Sequence, residues 1–183
     1  MPIILRGFPY HGSTWAKTAD PSEFSNPCMD RILVPVSITP PWTSWVQLRK
    51  EVKNERHRAT SVFYALLDTG CNYNFSIREE DLERYTGLTK EQLGIKHGDF
   101  PINDKKTIPF IDATLWIHYN ASLGSAEVSK KKPFQVELTG GIGIYPRGRA
   151  RKTQLPLIGL QALDDANLKV HIDCERGFLT LGT

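Results

Sequence analysis

The chain has 183 residues, the length of one ordinary domain, and its hydrophobic (40%) and charged (23%) fractions are those of a folded globular protein rather than a disordered or fibrous one. The net charge of +3 is too small an excess to indicate a nucleic-acid partner. The sequence contains neither an apolar run long enough to cross a bilayer nor the core of a secretory signal, so we expect an untargeted protein without a membrane partner.

The beginning of the chain predicts an arm and then a strand. Residues 1–30 combine Gly, Pro, Ser and His without an apolar period, which predicts an irregular N-terminal arm, and residues 31–183 are expected to form one domain. The branched apolar run at 31–39 predicts a strand, and Pro35 places that strand at a sheet edge or an irregularity because proline donates no hydrogen bond. The charged segment 42–60 predicts a solvated, inserted loop.

The middle and end of the chain predict mainly strands with short helices. The continuous apolar run at 61–68 predicts a strand that is buried on both faces and ends in Asp68. Ser76 is predicted to cap a helix over about residues 78–85, and Thr89 to begin another helical turn. Four later segments alternate as strands do, namely TIPFIDATLWIHY, KPFQVEL, LKVHID and GFLTLG. The sequence is therefore typical of a mainly β domain.

Two triplets at the ends of apolar segments carry the functional signal: Asp68-Thr69-Gly70 and Leu157-Ile158-Gly159. Alone, the first is weak, since Asp and Gly are ordinary turn residues. In this order, with a short helix and two strands after the second triplet, they resemble the active-site loop and the hydrophobic-hydrophobic-Gly element of retropepsin-like aspartic proteases. This family includes the retroviral and retrotransposon proteases. The resemblance covers roughly residues 31–183.

The resemblance implies a retropepsin-like closed β-barrel, the acid protease fold with one lobe per chain, and an aspartic endopeptidase activity. Because one chain supplies one such acid, it also implies a homodimer in which Asp68 faces the partner's Asp68 across a two-fold axis. Two carboxylates this close cannot easily both ionise, so they would share a proton. One would then act as general base toward a water and the other as acid, without a metal or cofactor, on an extended peptide or protein substrate.

The family also gives the remaining motif residues a role. Thr69 would hydrogen-bond across the axis, and Gly70 would let the backbone approach closely. The second triplet would pack beneath the loop through Leu157, Ile158 and Gly159. A mobile hairpin must cover the substrate, and residues 97–108 are the preferred candidate. The Gly-rich segment 139–152 is instead predicted to be an exposed loop whose arginines are solvated.

Two positions depart from the retroviral pattern. Asn72 and Leu160 stand where retroviral enzymes commonly have Asp and Arg, so the salt bridge usual in those enzymes cannot form. This departure motivates an alternative, a non-catalytic peptide-binding or assembly module with the same fold. A third alternative, nucleic-acid binding through the arginines of the Gly-rich segment 139–152, ranks below the other two functions.

The number and spacing of the cysteines indicate the redox environment in which the protein is expected to work. Cys28, Cys71 and Cys174 are an odd number at wide spacings that match neither a zinc site nor a disulfide framework, which predicts a cytoplasmic or other reducing environment. Cys71, beside the Asp68 loop, is interpreted as a small apolar filler.

Overall fold

The computed structural model describes residues 3–9, 33–53, 62–68, 70–71, 73–103, 106–118, 132–138, 140–148, 155–173 and 178–183. These ranges contain twelve strands and four helices. The predicted mainly β class is therefore confirmed.

In chain order the strands are β1 (Ile3–Pro9), β2 (Leu33–Thr39), β3 (Phe63–Leu67), β4 (Phe75–Arg78), β5 (Lys96–Asn103), β6 (Lys106–Ile111), β7 (Thr114–Ile117), β8 (Phe134–Glu137), β9 (Ile142–Tyr145), β10 (Leu157–Ile158), β11 (Lys169–Asp173) and β12 (Phe178–Gly182). The helices are α1 (Trp45–Lys53), α2 (Glu79–Thr86), α3 (Lys90–Leu93) and α4 (Leu160–Asp165).

The strands form two sheets. A nine-stranded mixed sheet has the order β5-β6-β9-β4-β10-β3-β2-β7-β8, and a smaller antiparallel sheet has the order β1-β12-β11. Among the described residues no pairing joins the end strands β5 and β8, so the large sheet is open and the predicted closed barrel is wrong. Closure requires the first and last strands of a sheet to hydrogen-bond. Here β5 instead lies at the outer edge, where residues 95–101 are exposed.

The core lies along the centre of the large sheet. Strand β3 is paired with β2 on one side and β10 on the other, and four of its five side chains are buried, as its continuous apolar run predicts. The largest fully buried side chains of the core are Trp116, Phe75, Ile38, Leu48, Ile77, Leu82, Leu93, Ile108, Leu115 and Ile117. This packing fixes the end of β3, and with it the start of the Asp68 loop.

Strand β2 is interior, so its predicted edge position is wrong. It pairs with β3 and with β7, and Pro35 lies opposite Tyr64. The Pro35 carbonyl oxygen accepts a hydrogen bond of 2.9 Å from the backbone N–H of His118, just beyond the last paired residue of β7. The N and C=O groups of one residue point to the same side of a strand. The Pro35 nitrogen, which carries no hydrogen, therefore faces β7 at the end of the β2–β7 ladder. A proline there interrupts no interior pairing.

The charged segment after β2 forms a helix, so the predicted loop is wrong for residues 45–53. Ser44 caps α1 reciprocally: its backbone N–H donates to Gln47 Oε1 at 2.7 Å, and Gln47 N–H donates to Ser44 Oγ at 3.3 Å. Leu48 is fully buried and anchors the helix to the core. Residues 54–60 lie outside the described part of the chain.

Two further predictions are corrected, one for the N-terminal arm and one for the residue that caps α2. Residues Ile3–Pro9, expected in an irregular arm, form β1 and pair with β12, while residues 10–32 lie outside the described ranges. Ser76 lies within β4 rather than at a helix cap, and Arg78 is the residue that precedes α2. The predicted start at Thr89 is confirmed, because Thr89 and Gln92 form a capping box at α3.

The Gly-rich segment also contains a strand that the sequence did not predict. Residues Ile142–Tyr145 form β9, which lies between β6 and β4 in the interior of the large sheet. Residues 139 and 149–152 of this segment lie outside the described ranges.

A buried histidine lies at the end of β7. His118 is fully buried, and its Nε2 is 2.8 Å from Ser37 Oγ, while its Nδ1 has no hydrogen-bond partner among the described residues. Burial lowers the pKa of His118 from its ordinary 6.5 to about 4. The imidazole is therefore neutral in the folded protein near neutral pH.

This histidine is expected to limit stability in acid. Between about pH 6.5 and pH 4 the unfolded chain binds the proton and the folded chain does not, so the free energy of unfolding falls as pH falls. Below about pH 4 the loss reaches about 3 kcal/mol. Denaturant unfolding at several pH values should show that His118→Gln removes this part of the pH dependence, whereas His171→Gln, at an exposed position of β11, keeps it. Parallel curves for the wild type and His118→Gln would contradict this assignment.

Candidate functional site

The two sequence triplets meet in the centre of the large sheet. Strand β10 lies between β3 and β4, parallel to the first and antiparallel to the second. The Asp68 backbone N–H donates to the carbonyl oxygen of Ile158 at 2.9 Å, and the Gly159 N–H donates to that of Asn74 at 3.0 Å. The second triplet thus holds both ends of the loop that carries Asp68.

Asp68 lies where β3 ends, and its carboxylate is fixed by the loop that follows. The side chain is half-buried. Its Oδ1 accepts a hydrogen bond of 2.9 Å from the Gly70 N–H, and its backbone carbonyl oxygen accepts one of 3.1 Å from the Cys71 N–H. A Cβ at position 70 would lie 3.3 Å from that Oδ1, so glycine lets the backbone come close to the carboxylate. Thr69 and Asn72 lie outside the described residues.

Gly159 is the point of closest approach between the two motifs. A Cβ at this position would lie 1.8 Å from the Tyr73 carbonyl oxygen and 2.6 Å from that of Cys71. The neighbouring Ile158 is buried in the core and Leu157 is half-buried. The structure therefore places the second triplet directly against the Asp68 loop, with no room for a side chain at Gly159.

Cys71 lies in this loop as a buried thiol. Burial raises the pKa of Cys71 above its ordinary value, and the negative charge of Asp68 raises it further. Hydrogen bonds to the Tyr73 carbonyl oxygen and the Ser76 side chain act in the opposite direction with smaller effect. A raised pKa reduces the thiolate fraction, which agrees with a packing role.

The candidate cover for the site forms a hairpin. Strands β5 and β6 pair antiparallel from Lys96 with Ile111 to Asn103 with Lys106, while residues 104–105 lie outside the described chain. His97 Nε2 and Asp112 Oδ1 form an ion pair at the base of the hairpin when the imidazole is protonated. The predicted range 97–108 thus falls on a hairpin, and its movement over a substrate remains a prediction.

A pocket of about 330 Å³ separates the hairpin from the Asp68 loop. Its residues come from the loop, the hairpin and two further segments: Tyr73, Asn74, His97, Gly98, Asp99, Phe100, Phe110, Gly140 and Gln161. Asp68 is not among them, so the pocket borders the loop through Tyr73 and Asn74 without including the Asp68 side chain. The sequence did not predict this pocket. Its aromatic residues lie on three separate segments, and no short motif connects them.

Two other predicted features have a defined place. Leu160 begins α4 and is 48% exposed. In the Gly-rich segment, Arg147 pairs with Glu83 of α2 and is 60% exposed, in agreement with the predicted solvated arginine. Arg149, Arg151 and Lys152 lie outside the described residues.

Within the described ranges, no group of three or more His, Cys, Asp or Glu side chains could hold a metal ion. No helix in those ranges is long and apolar enough to span a membrane.

Comparison of the chain with protein-family models, with curated proteins and with solved structures finds no match. The interpretation of the site therefore depends on its geometry and on the motifs that build it.

Proposed function

We propose that the protein is a retropepsin-like aspartic endopeptidase whose active site forms when two copies bring their Asp68 side chains together. The observation that carries this proposal is the half-buried Asp68 carboxylate, presented by a tight loop at the end of a buried strand and held from behind by the Leu157-Ile158-Gly159 segment. If Asp68 and Gly70 were only turn residues, no second segment would be needed behind them, because an ordinary Asp-Gly turn at the end of a strand is stable through its local hydrogen bonds.

The chemistry follows from two facing carboxylates. At short separation they retain one proton between them, because two adjacent negative charges repel. The ionised carboxylate takes a proton from a water, which attacks the peptide carbonyl carbon, while the protonated one donates to the carbonyl oxygen. The C–N bond of the resulting tetrahedral intermediate then breaks as the first carboxyl group donates its proton to the leaving nitrogen and the second takes a proton back from a hydroxyl group of the intermediate. Thr69 has the role of fixing the two loops to each other across the axis through its hydroxyl group. We propose that the reaction is fastest near neutral pH or on its acidic side.

The substrate is proposed to be an extended segment of an unfolded peptide or protein. It lies between the Asp68 loop and the β5–β6 hairpin of each copy, with its backbone hydrogen-bonded as an added strand. The hairpin suits this role because residues 95–101 are exposed, and it joins the sheet mainly at its base through the β6–β9 pairing of Phe110 and Ile111.

The second candidate is a non-catalytic peptide-binding or assembly module. Leu160 favours it, since an exposed leucine replaces the arginine common in retroviral enzymes and the module would then lack one of their usual fixing contacts. A protein that dimerises and binds extended peptides, yet leaves them intact at every pH, would support this candidate.

The proposal is tested by incubating the purified protein with a reduced, unfolded protein substrate across pH, with and without a pepstatin-type inhibitor. We expect cleavage that the inhibitor blocks and that Asp68→Asn lowers by at least about 100-fold, since general acid–base groups contribute about 100- to 10,000-fold. The exposed Asp164→Asn, on α4, is the matched control and should cleave normally. Equal cleavage by the Asp68 variant and the wild type would reject the assignment.

A further inference from the structure

The pocket beside the Asp68 loop has an aromatic wall. The ring centroids of Tyr73 and Phe100 are 5.3 Å apart, those of Tyr73 and Phe110 are 5.5 Å apart, and those of Phe100 and Phe110 are 5.6 Å apart. The interplanar angles are 84°, 65° and 49°, so the rings expose both faces and edges. These distances are within the range that favours aromatic pairs, and a further ring could add to the cluster with the same geometry.

One side of this wall is fixed and the other is open to solvent. Phe110 packs over Gly143 of β9, where a Cβ would lie 3.3 Å from the ring, so the interior of the sheet holds Phe110 in place. Phe100 is 50% exposed although it contacts both other rings. An aromatic side chain half in solvent at the mouth of an apolar pocket leaves area that a ligand side chain could cover.

The polar side chains of His97, Asp99 and Gln161 at this pocket have partners within the fold. His97 pairs with Asp112, and the Asp99 carboxylate accepts a hydrogen bond of 2.6 Å from Lys96 Nζ. The amide of Gln161 donates to Asp165 Oδ1 at 2.8 Å. Among the described residues that line the pocket, His97 and Asp99 thus each have a partner within the fold, and the three rings are the largest apolar side chains of the pocket.

We infer that this pocket binds an aromatic side chain of the peptide substrate at a position away from the cleaved bond, an inference that rests on the proposed function. The separation from the cleaved bond follows from the lining, which includes Tyr73 and Asn74 of the loop and excludes Asp68. An aromatic residue gains the ring–ring contacts as well as burial, whereas leucine gains burial alone. This difference corresponds to about two- to tenfold in affinity.

The test measures binding rather than cleavage. Fluorescein-labelled short peptides of one Ala-Ser-Thr sequence, with Phe, Leu or Ala placed at each position in turn, are titrated with the Asp68→Asn protein and followed by fluorescence anisotropy. At one position we expect Phe to bind about two- to tenfold more tightly than Leu, and Leu more tightly than Ala. Phe100→Ala in the same background should abolish the preference for Phe. Ile95→Ala, which removes a 72% exposed side chain outside the pocket, should keep it.

The outcomes separate this inference from the proposed function. A Phe preference that Phe100→Ala leaves unchanged, or the absence of a Phe preference at every position, would overturn the aromatic pocket even if the wild type cleaves peptides. A Phe100-dependent preference in a protein whose wild type cleaves nothing would support the pocket and count against the endopeptidase.

Discussion

Adding an equal amount of the Asp68→Asn protein to the wild type, with time for subunits to exchange, is expected to lower the cleavage rate to about one half. A ninefold excess is expected to lower it to about one tenth, because random pairing then places most wild-type subunits in mixed dimers. A mixed dimer holds one carboxylate and one amide at the axis. It therefore lacks either the general base or the shared proton that the reaction needs.

The measurement keeps the unfolded substrate in excess, so that the added variant does not deplete it by binding. The exposed Asp164→Asn serves as the control additive, since mixed dimers with this variant retain both Asp68 carboxylates and the rate should rise. The two variant proteins, added in the same amount, are thus expected to change the cleavage rate in opposite directions. A rate that the Asp68→Asn protein leaves unaltered at every ratio, under conditions where exchange is demonstrated, would show that each chain works alone.

Gly159→Ala is expected to lower the free energy of unfolding by at least about 3 kcal/mol and to abolish cleavage. The reason is steric contact with the backbone. The added Cβ would lie 1.8 Å from the Tyr73 carbonyl oxygen and 2.6 Å from that of Cys71, and neither oxygen can move without displacing the Asp68 loop. The backbone angle at Gly159 is φ −89°, which any residue adopts, so conformational strain adds nothing to this cost.

Gly98→Ala is the matched control for stability, because a Cβ at that position on β5 meets nothing within 4 Å. Chemical denaturation of both variants gives the comparison, and we expect Gly98→Ala to remain within about 0.5 kcal/mol of the wild type. If both glycine variants unfold at the same denaturant concentration, the close packing of the second triplet against the loop is not what holds the site.

The sequence predicts the strands that contain long apolar runs. Strand β3, with its continuous apolar run, and the segments that contain β6, β7, β8, β11 and β12, whose residues alternate, are predicted because these patterns are local properties of the sequence. Strands β4 and β9 are not predicted because of their surroundings in the sequence: Phe75–Arg78 precedes a run of acids, and Ile142–Tyr145 is embedded among glycines. Their strand conformation comes from the neighbours they pair with, which a local pattern cannot show.

The site is predicted in part. The resemblance to the retropepsin-like motifs implies that Gly159 lies behind the Asp68 loop, and in the structure Gly159 lies against the Tyr73 and Cys71 carbonyl oxygens of that loop. The helix α1 is not expected, because charged side chains dominate the segment, and among its residues of described burial, 45–49, Leu48 is the one that is buried in the core. The aromatic pocket is not expected either, since Tyr73, Phe100 and Phe110 become neighbours only through folding of the hairpin over the loop.

The two-residue strand β10 determines when, during synthesis of the chain, the Asp68 loop gains its final support. It occupies the gap between β3 and β4, so those strands, synthesised much earlier, have no direct ladder with each other to hold their shared loop. During translation, the Asp68 carboxylate therefore stays without its final support until the C-terminal part of the chain has left the ribosome. Contacts between distant parts of a sequence form slowly. Under the proposed function, cleavage activity would thus appear only after residues 157–159 have been synthesised and have joined the sheet between β3 and β4.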